Sequence, residues 1–154
     1  MKSLGALVVA IAVALPAHAS PPPGLCKALR DFTESVKPDE KREIAFHTSW
    51  GSNFKDDSEP AFFAKRCSHN GYEPAKIVCD YLMEHGSTEF AGANVKNAIG
   101  CLSPKTHFAP LFELNAGEFS FSYGSPNRGA LIDISLRDDK KIGGMVFQLT
   151  ADGY

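Results

Sequence analysis

The spacing of the apolar residues switches from helical to alternating near residue 105, and that switch limits the fold more than any other feature. From Ser58 to Leu102 apolar residues recur every three or four positions, and from Phe108 onward they alternate. The first pattern puts a stripe on one side of a helix, and the second puts apolar side chains on one face of a strand. Helices first and strands later predict an α+β domain with the helices laid over one sheet face.

Each segment can be assigned on this basis. Ser20-Pro21-Pro22-Pro23-Gly24 reads as a stiff leader outside regular structure. Leu25, Leu29, Phe32 and Val36 then lie on one face of a helix that Pro38 ends. Ile44, Phe46, Thr48 and Trp50 alternate with Ala45, His47, Ser49 and Gly51, which favours a strand. A helix starting at Pro38-Asp39 is the competing reading, because Asp39, Glu40 and Glu43 suit a first turn.

Three short helices are expected next. The first is capped by Ser58, carries Phe63 and Cys67 on one face and ends at Asn70-Gly71. The second starts at Pro74, turns Val78, Cys79 and Leu82 inward and ends at Gly86. The third is capped by Ser87 and has the inner stripe Ala91, Val95, Ala98 and Leu102. Four strands follow: Phe108 to Leu114, Phe119 to Tyr123, Ile132 to Arg137, and Met145 to Leu149. The segment from Gly124 to Gly129 reads as a loop, and Asp138-Asp139-Lys140-Lys141 as a charged turn. The expected fold is an N-terminal helix and a three-helix segment packed on a C-terminal four-stranded antiparallel meander, with two disulfides.

The N-terminus points to export. Lys2 is followed by an apolar run from Leu4 to Leu15, then Pro16, then Ala17-His18-Ala19 as a small-residue cleavage site. Residues 1–19 are the expected signal peptide, and residues 20–154 a single periplasmic α+β domain. The apolar run is shorter than the roughly 20 residues that span a bilayer. Leu25 before Cys26 does not fit a lipoprotein signal, and no membrane span is expected in the mature chain. Cys26, Cys67, Cys79 and Cys101 form an even set, which in an exported chain reads as two disulfides. Three pairings are open, with Cys67–Cys79 and Cys26–Cys101 preferred. The formal net charge is −2 and no Lys/Arg run exceeds two. Nucleic-acid binding is not expected without a basic face.

No complete catalytic or metal motif is present, and no cofactor is expected. His47, Ser49 and Ser52 are close in sequence but lack a nucleophile elbow. His47, His69, His85 and His107 form no zinc pattern. Asp56, Asp57 and Glu59 gather carboxylates in one loop without calcium-loop spacing, and read as solvated charge at a helix start. Glu113, Glu118 and Asp133 offer carboxylates for sugar hydrolysis, but read more simply as the wet face of a sheet. Trp50 discriminates between classes: exposed, it favours a binding function, and buried, it is core.

The most informative segment is Tyr123-Gly124-Ser125-Pro126-Asn127-Arg128-Gly129. Tyr and Arg dominate binding hot spots, and Pro126 pre-organises the chain. Ser125, Asn127 and Arg128 can hydrogen-bond a polar cleft. A plain turn, with Tyr123 in the core and Arg128 in water, is the alternative. The Tyr-x-x-x-x-Arg pattern from Tyr123 to Arg128 between two antiparallel strands resembles the active-site-blocking loop of periplasmic lysozyme inhibitors and related immunity proteins. The resemblance implies a protein partner, a cell-wall hydrolase or secreted toxin. It also implies occlusion, with Arg128 on a catalytic carboxylate and Tyr123 filling a sugar subsite or bracing the loop. The stretches Phe46–Gly51 and Glu89–Asn94 resemble those of small exported bacterial proteins and imply no activity. A small periplasmic hydrolase and a structural protein of the envelope are the alternative functions.

Overall fold

The computed structural model of the protein describes residues 20–154. The expected signal peptide, residues 1–19, lies outside them.

Helix α1 runs from Pro23 to Ser35 and buries Leu25, Cys26, Ala28, Leu29 and Phe32. It begins inside the proline-rich stretch expected to stay outside regular structure. The first helical position leaves its N–H unpaired in any helix, so Pro23 fits there without losing a bond. The chain turns at Pro38-Asp39, where Asp39 adopts φ 61° and its N–H donates to Gly153 O at 2.9 Å. No helix starts there. Strand β1, Lys41–Trp50, follows, with Ile44, Phe46 and Thr48 buried.

The helix expected from Ser58 to Asn70 is corrected to strand β2, Phe63–Ser68. Phe63 and Cys67 are four apart, a spacing that shares a face in a helix and in a strand alike. The long-range partner decides: Phe63 pairs with Trp50 and Cys67 with Phe46 across the antiparallel β1–β2 ladder. Asn70 (φ 49°) and Gly71 (φ 73°) then turn the chain, so the stop signal read there ends a strand. Helices α2, Glu73–His85, and α3, Ala91–Leu102, stand where the spacing put them. Ala91, Val95, Ala98 and Leu102 are all buried. Ser87 acts one turn early, its Oγ accepting from Phe90 N at 2.9 Å.

The strand expected from Phe108 to Leu114 is also corrected. This segment is turn and irregular chain. Pro110 removes a ladder donor, and Phe108 and Phe112 stack on each other with centroids 5.7 Å apart. The segment is fastened to α3: Lys96 Nζ donates to Phe112 O at 2.7 Å, and a Cβ on Gly92 would come within 1.9 Å of Leu114 O. Strands β3, Gly117–Ser125, β4, Arg128–Asp138, and β5, Met145–Gly153, complete the chain.

The expected four-stranded meander with four helices is thus corrected to three helices and a five-stranded antiparallel sheet of order β2-β1-β5-β4-β3. β1 pairs with β5, which joins the early strands to the late meander. The helices cover one sheet face. Phe32, Leu29 and Leu82 meet Ile44, Phe46, Ile132, Ile134, Leu136 and Leu149 there, all essentially inaccessible to solvent. Each such side chain contributes about 1.5–3 kcal/mol by leaving water. Cys26–Cys101 links α1 to α3, and Cys67–Cys79 links β2 to α2, so both preferred pairings are present. Among the described residues no helix is long and apolar enough to cross a membrane.

Candidate functional site

The Tyr123–Arg128 segment is tighter than a loop. β3 continues to Ser125 and β4 starts at Arg128, leaving only Pro126 and Asn127 as the turn. Two glycines let the strands close beneath it. Gly124 has φ 98°, and a Cβ there would meet Arg128 O at 2.7 Å. A Cβ on Gly129 would meet Tyr123 O at 2.2 Å. Ser125 Oγ donates to Arg128 O at 3.2 Å. Ser125, Pro126, Asn127 and Arg128 are all exposed.

Two side chains of the hairpin reach back to the end of α1. The Tyr123 hydroxyl donates to Glu34 Oε1 at 2.7 Å. Burial, together with that bond and the Glu34 charge, pushes the phenol up to about 12. Arg128 Nη2 donates to Val36 O at 3.2 Å, a carbonyl just past the last helical turn. Among the described residues Arg128 pairs with no carboxylate. The chain end closes the base, where Gly129 and Tyr154 exchange backbone hydrogen bonds of 3.2 and 3.0 Å. The hairpin is therefore braced on one side by α1 and below by β5, with its tip in water.

The other sequence candidates fall elsewhere. His47 and Ser49 lie on the sheet face opposite the helices, as strand alternation requires. His47 Nδ1 sits 2.9 Å from Asp139 Oδ2, both largely shielded from solvent. Burial, the largest single influence, pushes the Asp139 carboxyl up. The N–H groups of Ile142 and Lys141 and the neighbouring His47 outweigh it and hold the carboxyl below the ordinary aspartate value. A shallow cavity of about 480 Å³ surrounds the pair, lined also by Glu43, Arg137 and Gln148. Ser49 does not line it. Ser49 is buried, with its Oγ 3.4 Å from Ser52 Oγ. The histidine has a carboxylate close by, and among the described residues no serine, threonine or cysteine lines the cavity.

Asp56 and Asp57 do not start a helix, because no helix follows them. Both face Arg66 of β2, at 2.8 Å and 3.0 Å, and Arg66 holds the Asp56 carboxyl below its usual value. The same guanidinium lies over the Phe54 ring, 4.9 Å from its centroid. Asp133 accepts from Ser120 Oγ on the open sheet face, while Glu113 and Glu118 are exposed. His69 follows β2 instead of ending a helix, and His85 does end one, its ring 4.5 Å from that of Tyr81. His107 is exposed in the segment after α3.

Sequence reasoning missed Asp139, Glu34 and Phe62. Asp139 was absorbed into a charged turn, yet its Oδ1 accepts from Lys141 N at 2.9 Å and Ile142 N at 3.1 Å. That is the local bonding an Asp at a turn offers, and the one signal that could have marked it. Glu34 meets Tyr123 across 89 residues, a contact no local pattern encodes. Phe62 packs edge-on against Trp50, with centroids 4.9 Å apart. With Phe63 these form an exposed aromatic patch, at 47, 64 and 56% exposure for Trp50, Phe62 and Phe63. No protein-family model, curated protein or solved structure matches the chain.

Proposed function

We propose that the protein is an exported binding module that neutralises a peptidoglycan hydrolase or secreted toxin, with the β3–β4 hairpin as its contact element. The observation that carries this reading is the state of Arg128. It is exposed at a two-residue turn, aimed by one backbone carbonyl and, among the described residues, matched to no carboxylate. A guanidinium has five N–H donors in a rigid fork. One bond to Val36 O leaves donors for a carboxylate in an acidic cleft, where bidentate pairing is strongest. A braced tip loses little entropy on insertion. Tyr123 is spent on Glu34, so its role in this reading is to brace the hairpin. Ser125, Pro126 and Asn127 then form the contact surface with Arg128. The exposed Trp50 belongs with a binding function too, since large exposed aromatic patches mark interaction surfaces.

The test is inhibition of a panel of muramidases, amidases and lytic transglycosylases by the purified protein. The expected result is inhibition of at least one enzyme, weakened about tenfold or more by Arg128→Ala, as for other charge pairs buried at interfaces. Inhibition that ignores Arg128→Ala, or none across the panel, overturns the reading.

A second reading, a small hydrolase, rests on the His47–Asp139 pair and its cavity. Among the described residues no serine, threonine or cysteine lines that cavity. Turnover of ester or glycoside substrates, abolished by His47→Ala, would establish it over the first.

A further inference from the structure

β2 and β3 are the two edges of the sheet, and they are protected differently. β2 is six residues long and carries Lys65 and Arg66. It is tied to α2 by Cys67–Cys79 and by Lys65 Nζ donating to Met83 O at 3.0 Å. Shortness, charge and a covering helix are the usual ways a protein keeps an edge from pairing with another chain. β3 is nine residues long and has no charge and no proline from Phe119 to Ser125. Among the described residues, no loop backbone and no side chain hydrogen-bonds to its outer edge.

The order of side chains along β3 says what fits there. Phe119-Ser120-Phe121-Ser122-Tyr123 reads nearly the same from either end about Phe121. Two copies of one strand pair antiparallel only about a two-fold axis, and that axis demands self-complementarity. Placed at Phe121, the axis sets Phe121 opposite its own equivalent and Phe119 opposite Tyr123. On the other face Ser120 meets Ser122. Glu118, the one charge on the strand, meets Gly124, so no like charges face each other. Phe119, Phe121 and Tyr123 are only half-buried on the helix side of β3, while Glu118, Ser120 and Ser122 are exposed. Aromatic pairs directly opposite across strands are favourable, and like charges there are not.

We infer that the outer edge of β3 docks a second copy of this chain, antiparallel about Phe121, so that the two sheets join into one. The Pro126–Asn127 tip projects past the paired stretch, so the dimer leaves both hairpin tips free at opposite ends of the seam.

The test uses the purified protein with its disulfides intact. Sedimentation velocity from low micromolar to millimolar concentration should show a monomer–dimer equilibrium. Hydrogen exchange should show slower exchange of β3 amides as the dimer fills. Ser122→Glu changes an exposed side chain, and in this register it lies diagonally across from both residue 122 and Glu118 of the second copy, so only like charges meet there. It should weaken dimerisation by about tenfold or more, whereas Ser122→Lys, which faces the same Glu118, should weaken it less. A protein that stays monomeric throughout overturns the inference and leaves the edge to some other extended segment. A dimer whose β3 amides exchange as fast as the monomer's, or one indifferent to charge at position 122, overturns it too.

Discussion

The hydroxyl of Tyr123 on β3 donates to the carboxylate of Glu34 on α1 at 2.7 Å, which ties the exposed hairpin to the first helix of the fold. Tyr123→Phe removes this bond and keeps the ring. A loss of about 0.5–1.5 kcal/mol is expected from one such hydrogen bond, read by denaturant unfolding at neutral pH. The pH dependence has a definite sign. Folding raises the phenol to about 12 from its ordinary value of 10.0, so the folded state favours the neutral hydroxyl. This contribution is complete below 10.0 and disappears as pH rises toward about 12. Tyr123→Phe should therefore unfold less steeply than the wild type across that alkaline window. Equal slopes for the two proteins would refute the coupling.

Asp139 behaves in the opposite sense. Its carboxyl is held below the ordinary 3.8, so its ionised form stabilises the fold above that value, and the benefit is lost as pH falls. Asp139→Ala, which removes the contacts to Lys141, Ile142 and His47, should be clearly less stable than wild type at pH 6. The gap should narrow as the solution is acidified below 3.8. Thermal unfolding of both proteins at several pH values would reveal it. A gap independent of pH would mean that Asp139 acts through its shape alone.

The two disulfides should differ in weight. Cys26–Cys101 closes a separation of 75 residues and Cys67–Cys79 one of 12. On the chain-entropy account, losing the first costs about 4 kcal/mol and the second about 3 kcal/mol. Replacing each pair by serine and measuring unfolding by denaturant gives the comparison. A larger loss for the short bridge would show that local packing at β2 outweighs loop closure.

Gly92→Ala should destabilise the fold although alanine is the better helix former. The new methyl would meet Leu114 O at 1.9 Å, so the segment between α3 and β3 has to move. Overpacking of this kind costs typically about 1–3 kcal/mol. A neutral or stabilising Gly92→Ala would mean that this segment yields freely.

The local patterns read most of the fold and misread it where two periods coincide. The stripe Ala91, Val95, Ala98 and Leu102 has one interpretation, and α3 follows it. Phe63 and Cys67 have two, and only pairing with Phe46 and Trp50 selects the strand. Phe108 to Leu114 had strand-like residues, but Pro110 removes a ladder donor and Lys96 holds Phe112 O against α3. The residues around the hairpin were legible as turn chemistry. Their braces, Glu34 in the last turn of α1 and Val36 just past it, were not, since they lie at sequence separations of 89 and 92.

The bridges are nested: Cys67–Cys79 lies wholly inside the span of Cys26–Cys101. A chain oxidised in the order in which its thiols emerge would join Cys26 to Cys67 first, and that bond is foreign to the finished fold. Reaching the native pairing from there requires thiolate attack on a formed disulfide through a mixed intermediate, a slow exchange without an isomerase. A chain oxidised in that order therefore depends on shuffling as well as oxidation to reach its native pairs.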